Sequence, residues 1–171
     1  AGGQRDSGQG AELMARAPAD SDSSGAITHP PLIYLAGLLI GLGLDFVWPA
    51  PVLPQPAQYY LGAGLFALGL VPAAPAARAF VRAGTGLPVD RPTTALVTSG
   101  AYRFSRNPIY LGLTLAYLEI AAAIDSLWVV ALLAGVLPVM HYGVIAREER
   151  YLDGKFGEAY RRYCARTRRW L

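Results

Sequence analysis

Every Lys and Arg of this chain, 15 in all, falls in one of three stretches, and the long runs between them are apolar and almost free of charge. Arg5 and Arg16 come first. Arg78, Arg82, Arg91, Arg103 and Arg106 form the second group, and Arg147, Arg150, Lys155, Arg161, Arg162, Arg166, Arg168 and Arg169 the third. A soluble helical bundle has no reason to sort its charges in this way, because water receives them on any face. A bilayer imposes the sorting: charge is costly in hydrocarbon, and basic loops stay on the cytoplasmic side.

Four apolar segments fit this pattern, at about 32–48, 58–77, 109–124 and 126–146. A helix needs about 20 residues to cross the bilayer core, with a working range near 17–25. The second and fourth segments meet that length, and the first and third lie at its short end. Four crossings place all three basic groups on one face. The two opposite connections, 49–57 and Asp125, carry no Lys or Arg. The expected fold is all-α: an integral membrane protein with about four transmembrane helices and both termini cytoplasmic. The membrane would be the bacterial inner membrane, or the endoplasmic reticulum in a eukaryote.

Composition narrows the function classes. Only 16% of residues are charged and the net charge is +3, which gives no support to a nucleic-acid partner. Cys164 is the one cysteine, which excludes an internal disulfide and a cysteine-built zinc site. With His29 and His141 the only histidines, no metal centre is expected. Residues 1–29 are rich in Gly, Ser, Ala and Asp without an apolar period, and read as a disordered tail. Their polar length is unlike a signal peptide, and Met14 is a candidate natural start. No repeat of 20 to 50 residues is present, and midplane polar groups are few, which disfavours a transporter. The domain proper is expected over 30–171.

The richest chemistry lies at 94–112. Asn107 suits a helix N-cap and Pro108 the first helical position, so the third span should begin there. A helix start offers unpaired N–H groups to an anion. Arg103 and Arg106 add full charges, and Tyr102 and Tyr110 add ring faces that attract cations. That combination suits a ligand carrying both a carboxylate and a sulfonium; it equally suits interfacial anchors at the headgroup level. Beyond the fourth span, Glu148 and Glu149 are either interface charges or the holders of an ammonium or ribose. Leu152, Phe156, Tyr160 and Cys164 then recur every fourth residue, predicting an amphipathic interfacial helix over about 148–165. Glu119 within the third span and His141 within the fourth are further polar candidates.

The pieces Leu96-Val-Thr-Ser-Gly-Ala-Tyr102, Arg106-Asn-Pro-Ile-Tyr-Leu-Gly112, Glu148-Glu149 with Leu152, and Phe156-Gly157 with Tyr160 and Tyr163 occur in that order. Gly84-Thr85-Gly86 with Pro88 and Pro92 leads into them. In order and spacing they resemble the isoprenylcysteine carboxyl methyltransferase-like and phospholipid methyltransferase-like family of integral membrane enzymes. The resemblance covers about half the chain. It implies S-adenosylmethionine as cofactor, with contacts from Thr94, Ala95, Leu96, Val97, Tyr102, Asn107, Pro108, Ile109, Tyr110, Glu148 and Glu149. It also implies a lipophilic small-molecule substrate that enters from the membrane lipid. The catalytic candidates are Arg106, Glu119 and His141. Two departures stand out. Eukaryotic members carry His where Asn107 stands, and a substrate-contacting Arg where Val144 stands. A carboxylate or thiol acceptor is expected. A small thiol, a phospholipid amine, or a non-catalytic scaffold keeping the fold are the alternatives.

Overall fold

The computed structural model describes residues 29–83 and 96–170, with the side chains of 80–83 left aside. The expected disordered tail up to residue 28, the Gly84-Thr85-Gly86 approach, and the expected contacts at Thr94 and Ala95 lie outside the described residues. The helices are α1 (Pro30–Val47), α2 (Ala57–Ala83), α3 (Pro108–Ala123), α4 (Leu127–Pro138), α5 (Ala146–Phe156) and α6 (Glu158–Arg166). A 3₁₀ turn (Gly100–Arg103) precedes α3, and a π-helical stretch (Val139–Ile145) joins α4 to α5 without a break. Among the described residues there is no strand, only a parallel bridge between Ser105 and Arg168.

Local chemistry sets the ends. Proline opens both α1 and α3, where a missing N–H costs nothing. Ser126 caps α4 by accepting from the Val129 N–H at 3.3 Å. Pro30–Val47, Ala57–Ala79 and the continuous run Leu127–Phe156 are long and apolar enough to cross a membrane. Helix α3 is apolar too, but its 16 residues reach only about 24 Å, short of a roughly 30 Å hydrocarbon core. The Leu127–Phe156 run, about 45 Å long, exceeds that core, so its charged end from Arg147 onward projects beyond it.

Both short connections meet at one end of the bundle. One oxygen of Asp125 accepts from the Val52 and Leu53 N–H groups, each at 2.8 Å. Asp45 accepts from the Ser126 hydroxyl at 2.8 Å, and the Trp128 indole donates to the Trp48 carbonyl at 2.7 Å. Asp125 takes φ 54°, a left-handed turn that Asp tolerates by bonding locally. The helices therefore run up and down, and the described Lys and Arg residues all gather at the opposite end.

Small residues let the helices close. A Cβ on Gly37 or Gly41 of α1 would stand 2.5 Å from Val136 Cγ2 or 2.8 Å from Val129 Cα of α4. A Cβ on Gly112 of α3 would stand 2.6 Å from that of Ala73 in α2. Between them lies a core of Tyr34, Tyr117, Val129, Leu133, Val136, Met140 and Val144. The Tyr117 hydroxyl donates to the Val129 carbonyl at 2.9 Å, so its polar end is satisfied inside. Outward, Leu39, Phe46, Phe66 and Val71 are exposed, an apolar surface that lipid covers and water would not. The amphipathic helix expected over about 148–165 is two helices. Gly157, at φ 49°, breaks it, because that backbone turn is open to glycine and strained for other residues.

Candidate functional site

The site is built at the basic end, where α3 begins and α5 leaves the bundle. Asn107 holds the N-cap position of α3, but its side chain makes no capping bond. The expected cap is corrected: the Asn107 amide donates instead to the Arg169 carbonyl at 2.9 Å. The Arg106 N–H donates to the Arg168 carbonyl, also at 2.9 Å, completing the bridge between residues 105 and 168. The segment 167–169 thus lies along the approach to α3 as a strap, its carbonyls accepting from the Arg106 N–H and the Asn107 side chain just ahead of the helix.

Glu148 is 6% exposed and accepts a 2.6 Å hydrogen bond from the Tyr110 hydroxyl. The π-helical stretch just before it matters here. Each wider turn displaces the following residues around the axis, and that displacement sets which side of α5 faces α3. Burial pushes the Glu148 carboxyl up to about 7; the Tyr110 hydrogen bond pulls the other way, and the neighbouring Glu149 charge adds to the rise. The site therefore holds an acid that exchanges its proton near neutrality.

Glu149 is committed elsewhere. The Arg169 fork donates to both its oxygens, at 2.9 and 2.6 Å, and Arg106 Nη1 stands 3.3 Å away. Arg106 also donates to the Cys164 sulfur at 2.9 Å, while its Nε is buried with no hydrogen-bond partner. His141 Nε2 lies 3.2 Å from Arg169 Nη1. Tyr102 is buried, and Tyr163 donates to its carbonyl at 2.8 Å. From α1, the Tyr34 hydroxyl reaches Thr114 Oγ1 at 2.8 Å and so steadies the first turns of α3.

The fold thus brings Tyr102, Arg106, Asn107, Pro108, Tyr110, His141, Glu148 and Glu149 to one end. Ile109 sits half-buried in the first turn of α3, and Leu96 and Val97 are half-buried in the segment leading to it. Glu119 is not among them. It stands near the far end of α3, its carbonyl 3.4 Å from where a Cβ of Gly62 would lie. Sequence reasoning missed Arg169 and Cys164. Both sit in a basic amphipathic stretch, and nothing local marks them as partners of residues more than fifty positions earlier.

A family model for phospholipid methyltransferases matches residues 57–159. Over 77 residues the chain is 39% identical to the cobalt-zinc-cadmium resistance protein CzcN of Cupriavidus metallidurans, an overlap of 45% of this chain and 35% of that protein. Over 27 residues it is 67% identical to an uncharacterized protein of Haemophilus influenzae, 16% of this chain and 43% of that one. The chain spans less than half the length of each of these curated relatives. No solved structure matches it. The matched span contains α2, the head of α3 and the Glu148 turn; α1 and the 167–169 strap lie outside it.

Proposed function

The chain belongs to the phospholipid methyltransferase family, and on that premise we propose that it transfers a methyl group from S-adenosylmethionine to a lipophilic acceptor reaching the site from the bilayer. The observation that carries this reading is the buried Glu148–Tyr110 pair at the head of α3, beside an arginine with an unmatched donor. The residues fit the cofactor's chemistry. Arg106 Nε is a buried donor in want of an acceptor, as a carboxylate would be. Glu148 can hold an ammonium or ribose hydroxyls, and the Tyr102 and Tyr110 rings suit a sulfonium. Glu149, already neutralised by two arginines, is assigned to holding the site together.

The cofactor, when bound, supplies an activated methyl group for a single in-line displacement. The protein's part is to orient both reactants and keep water out. An ionised carboxylate acceptor needs no base, whereas a thiol or amine must first lose a proton. Glu148 is the carboxyl placed to take one. Val144 is fully buried in the core and carries no charge for an acceptor carboxylate, so prenylcysteine analogues should be poor acceptors. In calorimetry in detergent, Glu148→Ala should weaken S-adenosylmethionine binding by about 1–3 kcal/mol, the worth of a charge-assisted hydrogen bond. Glu158→Ala, on the exposed face of α6, should leave it unchanged. Equal binding by wild type and Glu148→Ala would falsify the placement of the cofactor.

A further inference from the structure

A groove of about 900 Å³ lies between the segment preceding α3 and helix α6, bordered by Leu96, Arg103, Arg162, Tyr163, Arg166 and Thr167. Its walls are fixed to each other, since Tyr163 donates to the Tyr102 carbonyl at 2.8 Å and Thr167 is buried. None of its lining side chains is acidic. The neighbouring acids are engaged: Asp153 and Glu158 each hold Arg161 at 3.0 Å, and Glu149 holds Arg169. Arg103, Arg162 and Arg166 are exposed, and among the described residues no acid pairs with them. Arg162 and Arg166 stand one turn apart on the same face of α6.

Three uncompensated guanidinium groups on one groove call for an anion with several acceptor oxygens, and a phosphate matches their fork geometry. A cofactor carboxylate would already be met by Arg106. The surroundings identify the source. Phe104, adjacent to Arg103, is 75% exposed, a ring left largely uncovered by protein. It sits at the basic end of the apolar helices, where headgroups meet acyl chains, and an aromatic ring is at home there. We propose that this groove binds the phosphate of an anionic membrane phospholipid, retained as a surface lipid and not used as the methyl acceptor. The site would hold the strap and α6 against the membrane face.

Calorimetry on the full chain in a non-ionic detergent tests this with phosphatidylglycerol, phosphatidylcholine and inorganic phosphate as probes. Phosphatidylglycerol should bind tightest, and added salt should weaken it. Replacing Arg162→Gln together with Arg166→Gln should weaken that binding by about tenfold or more, the loss expected for charge-assisted contacts. Removing the same charge elsewhere, by Arg150→Gln with Lys155→Gln, should leave it within about twofold. Arg103→Gln, across the groove from α6, should give a loss in the same direction as the α6 pair. The proposal is overturned if both pairs lose affinity equally, or if phosphatidylcholine or inorganic phosphate binds as tightly as phosphatidylglycerol. Displacement of the lipid by S-adenosylhomocysteine would also overturn it, by giving the groove to the cofactor. Failure of methyl transfer leaves each of these outcomes readable.

Discussion

Glu148 is a carboxyl whose neutral form the folded protein prefers, since burial raises its pKa from 4.5 to about 7. The native state therefore keeps a proton that the unfolded chain gives up. Stability falls as pH rises from about 4.5 to about 7 and is level above that, by at most about 3 kcal/mol in total. Glu148→Gln should flatten this slope in thermal melts across that range in detergent, and should leave the melting temperature above neutral pH higher than wild type. An unchanged slope would show that the acid is not the titrating group. At this scale the sequence was legible where a motif names a residue, as it did for Tyr110 and Glu148. It was silent on Arg169, because a basic side chain on an amphipathic stretch looks the same whether it meets water or Glu149. On Asn107 it was right about the N-cap position but not about the bond: the side chain accepts no helix N–H, and its amide donates to the Arg169 carbonyl.

Helices α2 and α3 cross where Gly112 meets Ala73, and Gly69 stands against Leu115 on the same seam. In lipid, association between helices rests on packing and not on release from water, so close approach carries much of the binding between them. Gly112→Ala places a methyl group 2.6 Å from Ala73 Cβ and pushes the head of α3 away from its neighbour. Overpacking of this kind costs about 1–3 kcal/mol, to be read as a lower unfolding midpoint in detergent. Gly64→Ala, on the same helix pair but with open space around it, should cost nothing measurable and serves as the control. The helix positions themselves were legible from apolar runs and prolines, and α3 begins at Pro108 as read. The division at Gly157 and the π-helical stretch were not. Both are backbone adjustments fixed by what the flanking residues must reach, and the intervals of an apolar stripe do not record them.

For the molecule as a whole, the two connections without Lys or Arg lie at one end and the described basic residues at the other. In the bilayer this predicts that reporters fused within the 49–57 connection and after residue 170 report opposite compartments, with the second cytoplasmic. Both on the same side would remove a crossing from the map, and α3, the apolar helix that falls short of the core, would be the one to give up. The segregation of charge was legible because it is a global property, counted and not inferred from local preference. That three helices reach full length while α3 falls short was visible only as a borderline count. The acids at the other end complete the picture. Asp45 and Asp125 knit the turns together there, so the protein carries negative tips facing away from its positive base. An energised membrane, positive outside, acts on each such charge with about 2.3 kcal/mol per 100 mV. With the basic end cytoplasmic, as the charge bias predicts, that voltage would draw the two hairpin tips outward and hold the arginines in, so it would assist insertion in this orientation and oppose the reverse.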